Sequence, residues 1–80
     1  MPDYNDFLSR IYEILKPFAK HGLILNEDSE LVTELGLTSL QVMELIEQIE
    51  DHFEISVPLN ILPDIRTIRD LAQRLEQLAN

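Results

Sequence analysis

The first apolar stripe of the chain lies near its N-terminus and has the spacing of one helix face. It comprises Tyr4, Phe7, Leu8, Ile11, Leu15 and Phe18. Asp3 is placed to cap this helix, because a short polar side chain can accept a hydrogen bond from a free N–H of the first turn. Pro17 is expected to end or kink the helix near Lys16, since proline lacks the N–H that an interior position donates. The pair His21-Gly22 is expected to stop whatever helix remains.

A second helix is predicted to open at Thr38 or Ser39 and to run to about Phe53. Gln41 follows Thr38 by three residues, which is the spacing of a capping box in which each side chain accepts from the other residue's backbone N–H. The stripe expected to face the core consists of Val42, Leu45, Ile46, Ile49 and Phe53.

A third main helix is predicted to begin after Thr67, where Asp70 completes a second capping box. Its apolar stripe consists of Ile68, Leu71, Ala72, Leu75 and Leu78. Between the second and third helices, Pro58 and Pro63 bracket the segment from Leu59 to Leu62, which has room for a single turn.

These patterns together predict an all-α fold. A long connection, residues 22–37, joins the first two helices, and no segment alternates polar and apolar residues as a half-buried strand would. We therefore expect a four-helix bundle with three main helices, one short helix or turn, and a long first loop. Eighty residues are enough for one domain, which would span residues 1–80.

Charge is distributed unevenly along the chain. The net charge is −9, and all six basic residues lie within the first 20 or the last 15 positions, so residues 21–65 contain ten acids and no base. This balance opposes binding to nucleic acid or to anionic membrane surfaces and favours partner proteins with basic patches. It also favours a monomer, because like-charged copies repel each other.

The chain lacks the residue patterns of common catalytic and metal sites. It has no cysteine, and His21 and His52 lie too far apart in sequence for a zinc-binding helix motif. Residues 26–37 resemble a calcium loop only until Leu31 and Leu37, which stand where glycine and glutamate are needed. No apolar run approaches the ~20 residues that span a bilayer. We predict neither an enzyme, nor a metal site, nor membrane insertion. The N-terminus lacks the features of a signal peptide, so the default expectation is a cytoplasmic protein.

One segment is a candidate functional site, Leu35-Gly36-Leu37-Thr38-Ser39-Leu40. The two leucines before Thr38 are expected to anchor the loop in the core, with Gly36 allowing a tight turn. Ser39 would then lie at the start of a helix, where free N–H groups and the helix dipole favour a negative group such as a phosphodiester. The alternative is that Ser39 is an ordinary N-cap or first-turn serine.

Across nearly its whole length, the chain resembles the acyl carrier protein family. The resemblance rests on residues 35–40, the helix from Val42 to Phe53, the run Ile55-Ser56-Val57-Pro58, and Thr67-Ile68. It implies that Ser39 carries 4′-phosphopantetheine, attached by a phosphopantetheinyl transferase. It also implies a freestanding carrier that presents acyl or aminoacyl thioesters to enzymes of fatty acid, polyketide or related biosynthesis. Two departures bear on partner choice: Thr38 replaces the family's usual aspartate, and the segment from Leu59 to Leu62 lacks acids.

The second helix is predicted to present an acidic face to partners. Glu44, Glu47, Asp51 and Glu54 step by three and four residues, and Glu50 lies beside them. Each like-charge pair at this spacing costs about 0.2–0.5 kcal/mol, so retaining five pairs makes sense if the face binds the basic docking patches of acyl-loading and acyl-processing enzymes. Leu40 and Met43 are candidate apolar contacts, and packing against the core is the alternative for Met43.

The sequence leaves two questions open, the role of the interior residues and the function of the whole protein. The interior residues Leu45, Ile46, Ile49 and Ile68 either shelter an acyl chain, as the resemblance implies, or form an ordinary core. The alternative function is an unmodified acidic helical adaptor that docks on a basic partner. Ser39 discriminates between carrier and adaptor, because only a carrier requires its hydroxyl.

Overall fold

A computed structural model describes residues 1–19 and 23–79. The elements, in chain order, are α1 (Tyr4–Leu15), a first 3₁₀ helix (Lys16–Phe18), α2 (Ser39–Phe53), a second 3₁₀ helix (Leu59–Asp64) and α3 (Ile68–Ala79). Within the described ranges the only β-type pairing is an isolated bridge between Glu30 and Thr67. The all-α prediction, with three main helices, a short helix after Pro58 and a long first loop, is confirmed, and the first 3₁₀ helix adds one turn that was not predicted. The expected stop at His21-Gly22 lies outside the described residues.

The start of α1 is fixed by a reciprocal cap. The N–H of Asp6 donates to Asp3 Oδ1 at 2.9 Å, and the N–H of Asp3 donates to Asp6 Oδ2 at 3.0 Å. The helix ends at Leu15, and Pro17 falls inside the 3₁₀ turn that follows. The predictions for Asp3 and Pro17 are therefore confirmed.

Two further capping boxes begin α2 and α3. At α2, the N–H of Gln41 donates to Thr38 Oγ1 at 3.1 Å, and the N–H of Thr38 donates to Gln41 Oε1 at 2.9 Å. At α3, the N–H of Asp70 donates to Thr67 Oγ1 at 3.1 Å, and the N–H of Thr67 donates to Asp70 Oδ2 at 3.0 Å. The backbone N–H of Thr67, and after it that of Arg66, which also donates to Asp70 Oδ2 at 3.0 Å, lower the pKa of Asp70. Both predicted boxes are confirmed.

The core is formed by one face of each α-helix together with side chains from the connections. α1 packs mainly against α3 and to a lesser extent against α2, and Phe7 meets Phe53 with ring centroids 4.5 Å apart. Two stripe residues are exceptions, since Phe18 is 41% exposed and Leu78 is 38% exposed. Phe18 lies beyond the end of α1, where the 3₁₀ turn changes the helical phase. Leu78 lies at the margin of the apolar face of α3 in its last turn.

The long first connection is held against the start of α3. The N–H of Leu31 donates to the carbonyl of Arg66 at 3.0 Å, and the N–H of Ile68 donates to the carbonyl of Ser29 at 3.0 Å. A third bond joins the N–H of Arg69 to the carbonyl of Glu27 at 2.8 Å. These bonds satisfy free N–H groups at the beginning of α3 and fix the loop that leads to α2.

The second 3₁₀ helix is longer than the sequence indicated. Pro63 was expected to bound the segment at Leu62, but the helix continues through Pro63 to Asp64. The fixed φ of proline lies within the 3₁₀ range, so Pro63 can be part of the helix instead of its stop. Ile61 anchors the segment and is 3% exposed.

Candidate functional site

The loop before α2 turns sharply at Gly36, which has a φ of +71°. The N–H of Gly36 donates to the carbonyl of Val32, and that of Leu37 donates to the carbonyl of Leu31, both at 3.0 Å. A Cβ at Gly36 would meet no atom within 4 Å, so the backbone conformation, and not lack of space, favours glycine here. Leu35 and Leu37 are buried on either side of the turn, as predicted. The two buried leucines therefore fix the position at which the chain enters α2.

Ser39 is the first residue of α2 and is exposed. Thr38 is the N-cap, and its hydroxyl accepts from the N–H of Gln41. The Ser39 hydroxyl makes no hydrogen bond within residues 1–19 and 23–79. Of the two ordinary roles that the sequence left open for Ser39, the N-cap is wrong, because Thr38 is the cap, and a first-turn position is what the structure shows. The Ser39 Oγ therefore takes no part in capping α2.

The start of α2 suits a phosphodiester on Ser39. The backbone N–H groups of Ser39 and Leu40 precede the first intrahelical donor, and no acidic residue lies in the first turn. These free donors and the positive end of the helix dipole favour a negative group at this position. The cap at Thr38 is uncharged, so it adds no repulsion beside such a group. The residues present thus fit a phosphopantetheine arm.

A small apolar cleft opens beside Ser39. Its volume is about 90 Å³, and it is lined by Leu31, Val32, Ser39, Val42, Leu62 and Ile65. The four interior residues considered as a shelter for an acyl chain, Leu45, Ile46, Ile49 and Ile68, do not line it and are at most 2% exposed. Ser39 therefore borders an apolar depression, while the interior behind it is closed.

The predicted acidic face of α2 is reduced to three carboxylates. Glu44, Glu47 and Asp51 are exposed, and none forms an ion pair with a described residue. Leu40, on the same side of the helix, is 64% exposed, whereas Met43 on the flank is half-buried. The structure therefore brings one apolar and three acidic side chains onto a single outward side of α2, which begins beside Ser39 and extends along the helix.

Two members of the predicted face differ from the rest. The carboxylate of Glu50 is turned into the fold, where its Oε2 accepts from the N–H of Val57 at 2.7 Å. Glu54 lies one residue beyond α2, in the left-handed conformation with a φ of +55°. Glu54 is exposed and its N–H still donates to the carbonyl of Glu50, but α2 ends before it, so its place on the face stays a prediction. We define the α2 docking face as Leu40, Glu44, Glu47 and Asp51.

The arginines of α3 and of the segment before it neutralise acids elsewhere in the chain. Arg66 lies 3.6 Å from Glu30, Arg74 lies 3.7 Å from Asp64, and Arg69 pairs with Asp28 and, at 3.9 Å, with Glu27. The sequence separated these charges into different segments, but the fold brings them together. The acids left without a cation within the described chain are concentrated on and around α2.

A half-buried hydroxyl contact accompanies this network. The Tyr4 hydroxyl donates to Glu27, and burial together with this bond raises the pKa of Tyr4 to about 12. The contact joins α1 to the first loop at the opposite end of the loop from Ser39. The sequence offered no signal for it, because the two residues lie in separate elements.

The chain is similar to known acyl carrier proteins. The family model described as "Phosphopantetheine attachment site" matches residues 9–75, a range that includes Ser39. The acyl carrier protein of Sulfurovum sp. (strain NBC37-1) is 35% identical over 54 residues, which cover 68% of this chain and 72% of that protein. A probable acyl carrier protein of Caulobacter vibrioides is 35% identical over 51 residues, which cover 64% of this chain and 59% of the relative.

A plant relative matches over a longer stretch. Acyl carrier protein 3, chloroplastic, of Cuphea lanceolata is 33% identical over 79 residues, which cover 92% of this chain but 52% of the relative. The chain thus spans between about half and three quarters of the length of these relatives. It belongs to the acyl carrier protein family, whose cofactor is phosphopantetheine and whose members are carriers and not enzymes.

No helix in residues 1–19 and 23–79 is long and apolar enough to cross a membrane. In the same ranges, no three side chains of histidine, cysteine, aspartate or glutamate are grouped so that they could hold a metal ion.

Proposed function

We propose that residues 1–80 form one carrier domain, in which Ser39 bears 4′-phosphopantetheine and presents acyl or aminoacyl groups to biosynthetic enzymes. The observation that carries this proposal is the exposed hydroxyl of Ser39 at the start of α2, left free because Thr38 makes the cap. Family membership supplies the identity of the arm.

The arm contributes a terminal thiol that holds the cargo as a thioester, and the chain contributes position and charge. The buried leucines on either side of Gly36 hold the attachment point in one place on the surface. The N-terminus of α2 stabilises the negative phosphodiester next to the protein. No side chain near Ser39 is needed for chemistry, because the reactions take place in the partner enzymes.

The partners follow from the charge of the α2 docking face. Its three carboxylates would attract the basic patches of a phosphopantetheinyl transferase and of enzymes of fatty acid, polyketide or related biosynthesis. Electrostatic attraction speeds encounter without requiring tight binding, which suits a carrier that visits several enzymes in turn. Leu40 provides an apolar contact beside the attachment point.

The direct test is the mass of the intact protein after incubation with coenzyme A and a broad-specificity phosphopantetheinyl transferase. We expect one added arm on the wild type, none on Ser39→Ala, and one on Ser56→Ala, a matched control at another exposed serine. Modification of Ser39→Ala at the wild-type level would show that the arm is attached to another residue, and failure of several transferases to modify the wild type would favour the unmodified acidic adaptor.

A further inference from the structure

A second cleft borders the apolar cleft beside Ser39. It is formed by α3 and the end of the second 3₁₀ helix, has a volume of about 140 Å³, and is lined by Asp64, Ile65, Asp70, Gln73, Arg74 and Gln77. Ile65 is half-buried and also lines the apolar cleft. The two clefts are therefore neighbours on one surface, with Ile65 as their shared wall.

The second cleft is polar, in contrast to the first. Gln73 and Gln77 lie four residues apart on α3, so their side chains share one face of the helix, and both are exposed. Neither side-chain amide forms a hydrogen bond with a residue in the ranges 1–19 and 23–79. By contrast, Asp70 accepts backbone N–H groups, and Asp64 lies 3.7 Å from Arg74. The two glutamine amides are therefore available to a ligand, and each can both donate and accept.

The surface beside Ser39 thus changes its chemical character in a fixed order. The start of α2 favours a negative group, the first cleft is apolar, and the second cleft offers amide donors and acceptors. A phosphopantetheine arm has the same order of groups from its point of attachment: a phosphodiester, geminal methyl groups, then a hydroxyl and amides, and last a thiol. This match in order points to the arm as the ligand of both clefts.

We propose that the arm, when it carries no cargo, folds back along these two clefts. Its geminal methyl groups contact Val32 and Ile65 in the apolar cleft. Its amides hydrogen-bond to Gln73 and Gln77 in the polar cleft. Because the arm is tethered, its effective concentration at the clefts is on the order of millimolar, so weak contacts are enough to hold it and a partner enzyme can still take it up. The inference rests on the proposed attachment of the arm to Ser39.

The test compares the protein with and without the arm by NMR, using isotope-labelled coenzyme A as the source of the arm and intact mass to show that it is attached. We expect nuclear Overhauser effects between the geminal methyl groups and the methyl groups of Val32 and Ile65. The side-chain amide signals of Gln73 and Gln77 should shift on attachment. Those of Gln48, which lines neither cleft, should not.

Gln73→Ala should lower the occupancy of the polar cleft about two- to tenfold, because one hydrogen bond is lost, and this should appear as a smaller shift of the Gln77 amide on attachment. The matched control is Gln48→Ala, at another exposed glutamine, which should leave the Gln77 shift at its wild-type value.

The proposal is wrong if attachment of the arm moves only signals at Ser39 and Leu40, or if Gln48→Ala reduces the Gln77 shift as much as Gln73→Ala. Shifts that appear only after the arm is acylated would assign the clefts to cargo and would also overturn it. In each of these cases the mass shows the arm in place, so the proposed function stands. A mass without the arm would overturn both proposals.

Discussion

Glu47 lies at the centre of the negative charge on α2, and removing its charge should make the protein more stable. It stands three residues after Glu44, three before Glu50 and four before Asp51, so it takes part in three like-charge pairs on one helix. At about 0.2–0.5 kcal/mol each, relief of these pairs in Glu47→Gln amounts to about 0.6–1.5 kcal/mol at low salt. Glutamine and glutamate have nearly equal helix propensities, so the substitution changes little besides charge.

The expected gain is large enough to measure in a domain of this size. One kcal/mol shifts the melting temperature by roughly 4–8 °C, so Glu47→Gln should raise it by about 2–12 °C in 0.01 M salt. The gain should shrink in 0.1 M salt, because the Debye length falls from ~30 Å to ~10 Å. Thermal melts followed by circular dichroism at the two salt concentrations give both quantities.

The matched control for this prediction is Glu13→Gln on α1. Glu13 is also exposed, but its carboxylate lies 2.8 Å from Arg10 in an ion pair. Neutralising it should lower the melting temperature slightly or leave it unchanged. If Glu47→Gln gives no gain at low salt, or a gain equal to that of Glu13→Gln, the acids of α2 do not repel each other appreciably and the stability argument for a docking face fails.

Two other variants test the helix caps and the docking face. Asp70→Asn should cost about 1 kcal/mol at pH 7 in urea unfolding, because the carboxylate accepts backbone N–H bonds at the start of α3. The pKa of Asp70 is lower in the folded protein, so the ionised carboxylate stabilises the fold above the unfolded pKa, and this stabilisation disappears as pH falls below about 4. Asp70→Asn should therefore lose less free energy of unfolding than the wild type between neutral and acidic pH. An unchanged pH dependence of stability in the variant would refute this role of the Asp70 carboxylate. Changing Glu44, Glu47 and Asp51 together to lysine should slow transfer of the arm by the transferase at low salt while helical content stays constant, and normal kinetics would remove the docking role.

The helices and their caps could be predicted from the sequence because the information is local. A capping box needs two residues three positions apart, and all the apolar residues of one stripe belong to one helix. The exposed position of Ser39 followed from the same kind of pattern, since Leu35, Leu37 and Thr38 are its near neighbours in the chain. These features do not depend on how the helices pack.

The features that could not be predicted depend on distant segments. The inward turn of Glu50 requires the N–H of Val57 to lie beside α2, and the cleft next to Ser39 combines residues from the first loop, α2 and the second 3₁₀ helix. The exposure of Phe18 depends on where the N-terminal segment stops being α-helical. Such contacts are set by packing, which sequence spacing does not reveal.

The attachment of the first loop to the start of α3 also orders events during synthesis of the chain. α2 can form from its own residues, but the loop that leads to Ser39 is anchored by backbone bonds to Arg66 and Ile68, on the far side of α2 in the sequence. A ribosome-bound fragment that ends before Arg66 therefore contains Ser39 without the anchor that holds it in place. If Ser39 carries the proposed arm, an enzyme that recognises the folded surface around it would have no substrate until residues 66–68 have left the ribosome, which would tie modification to folding of this domain.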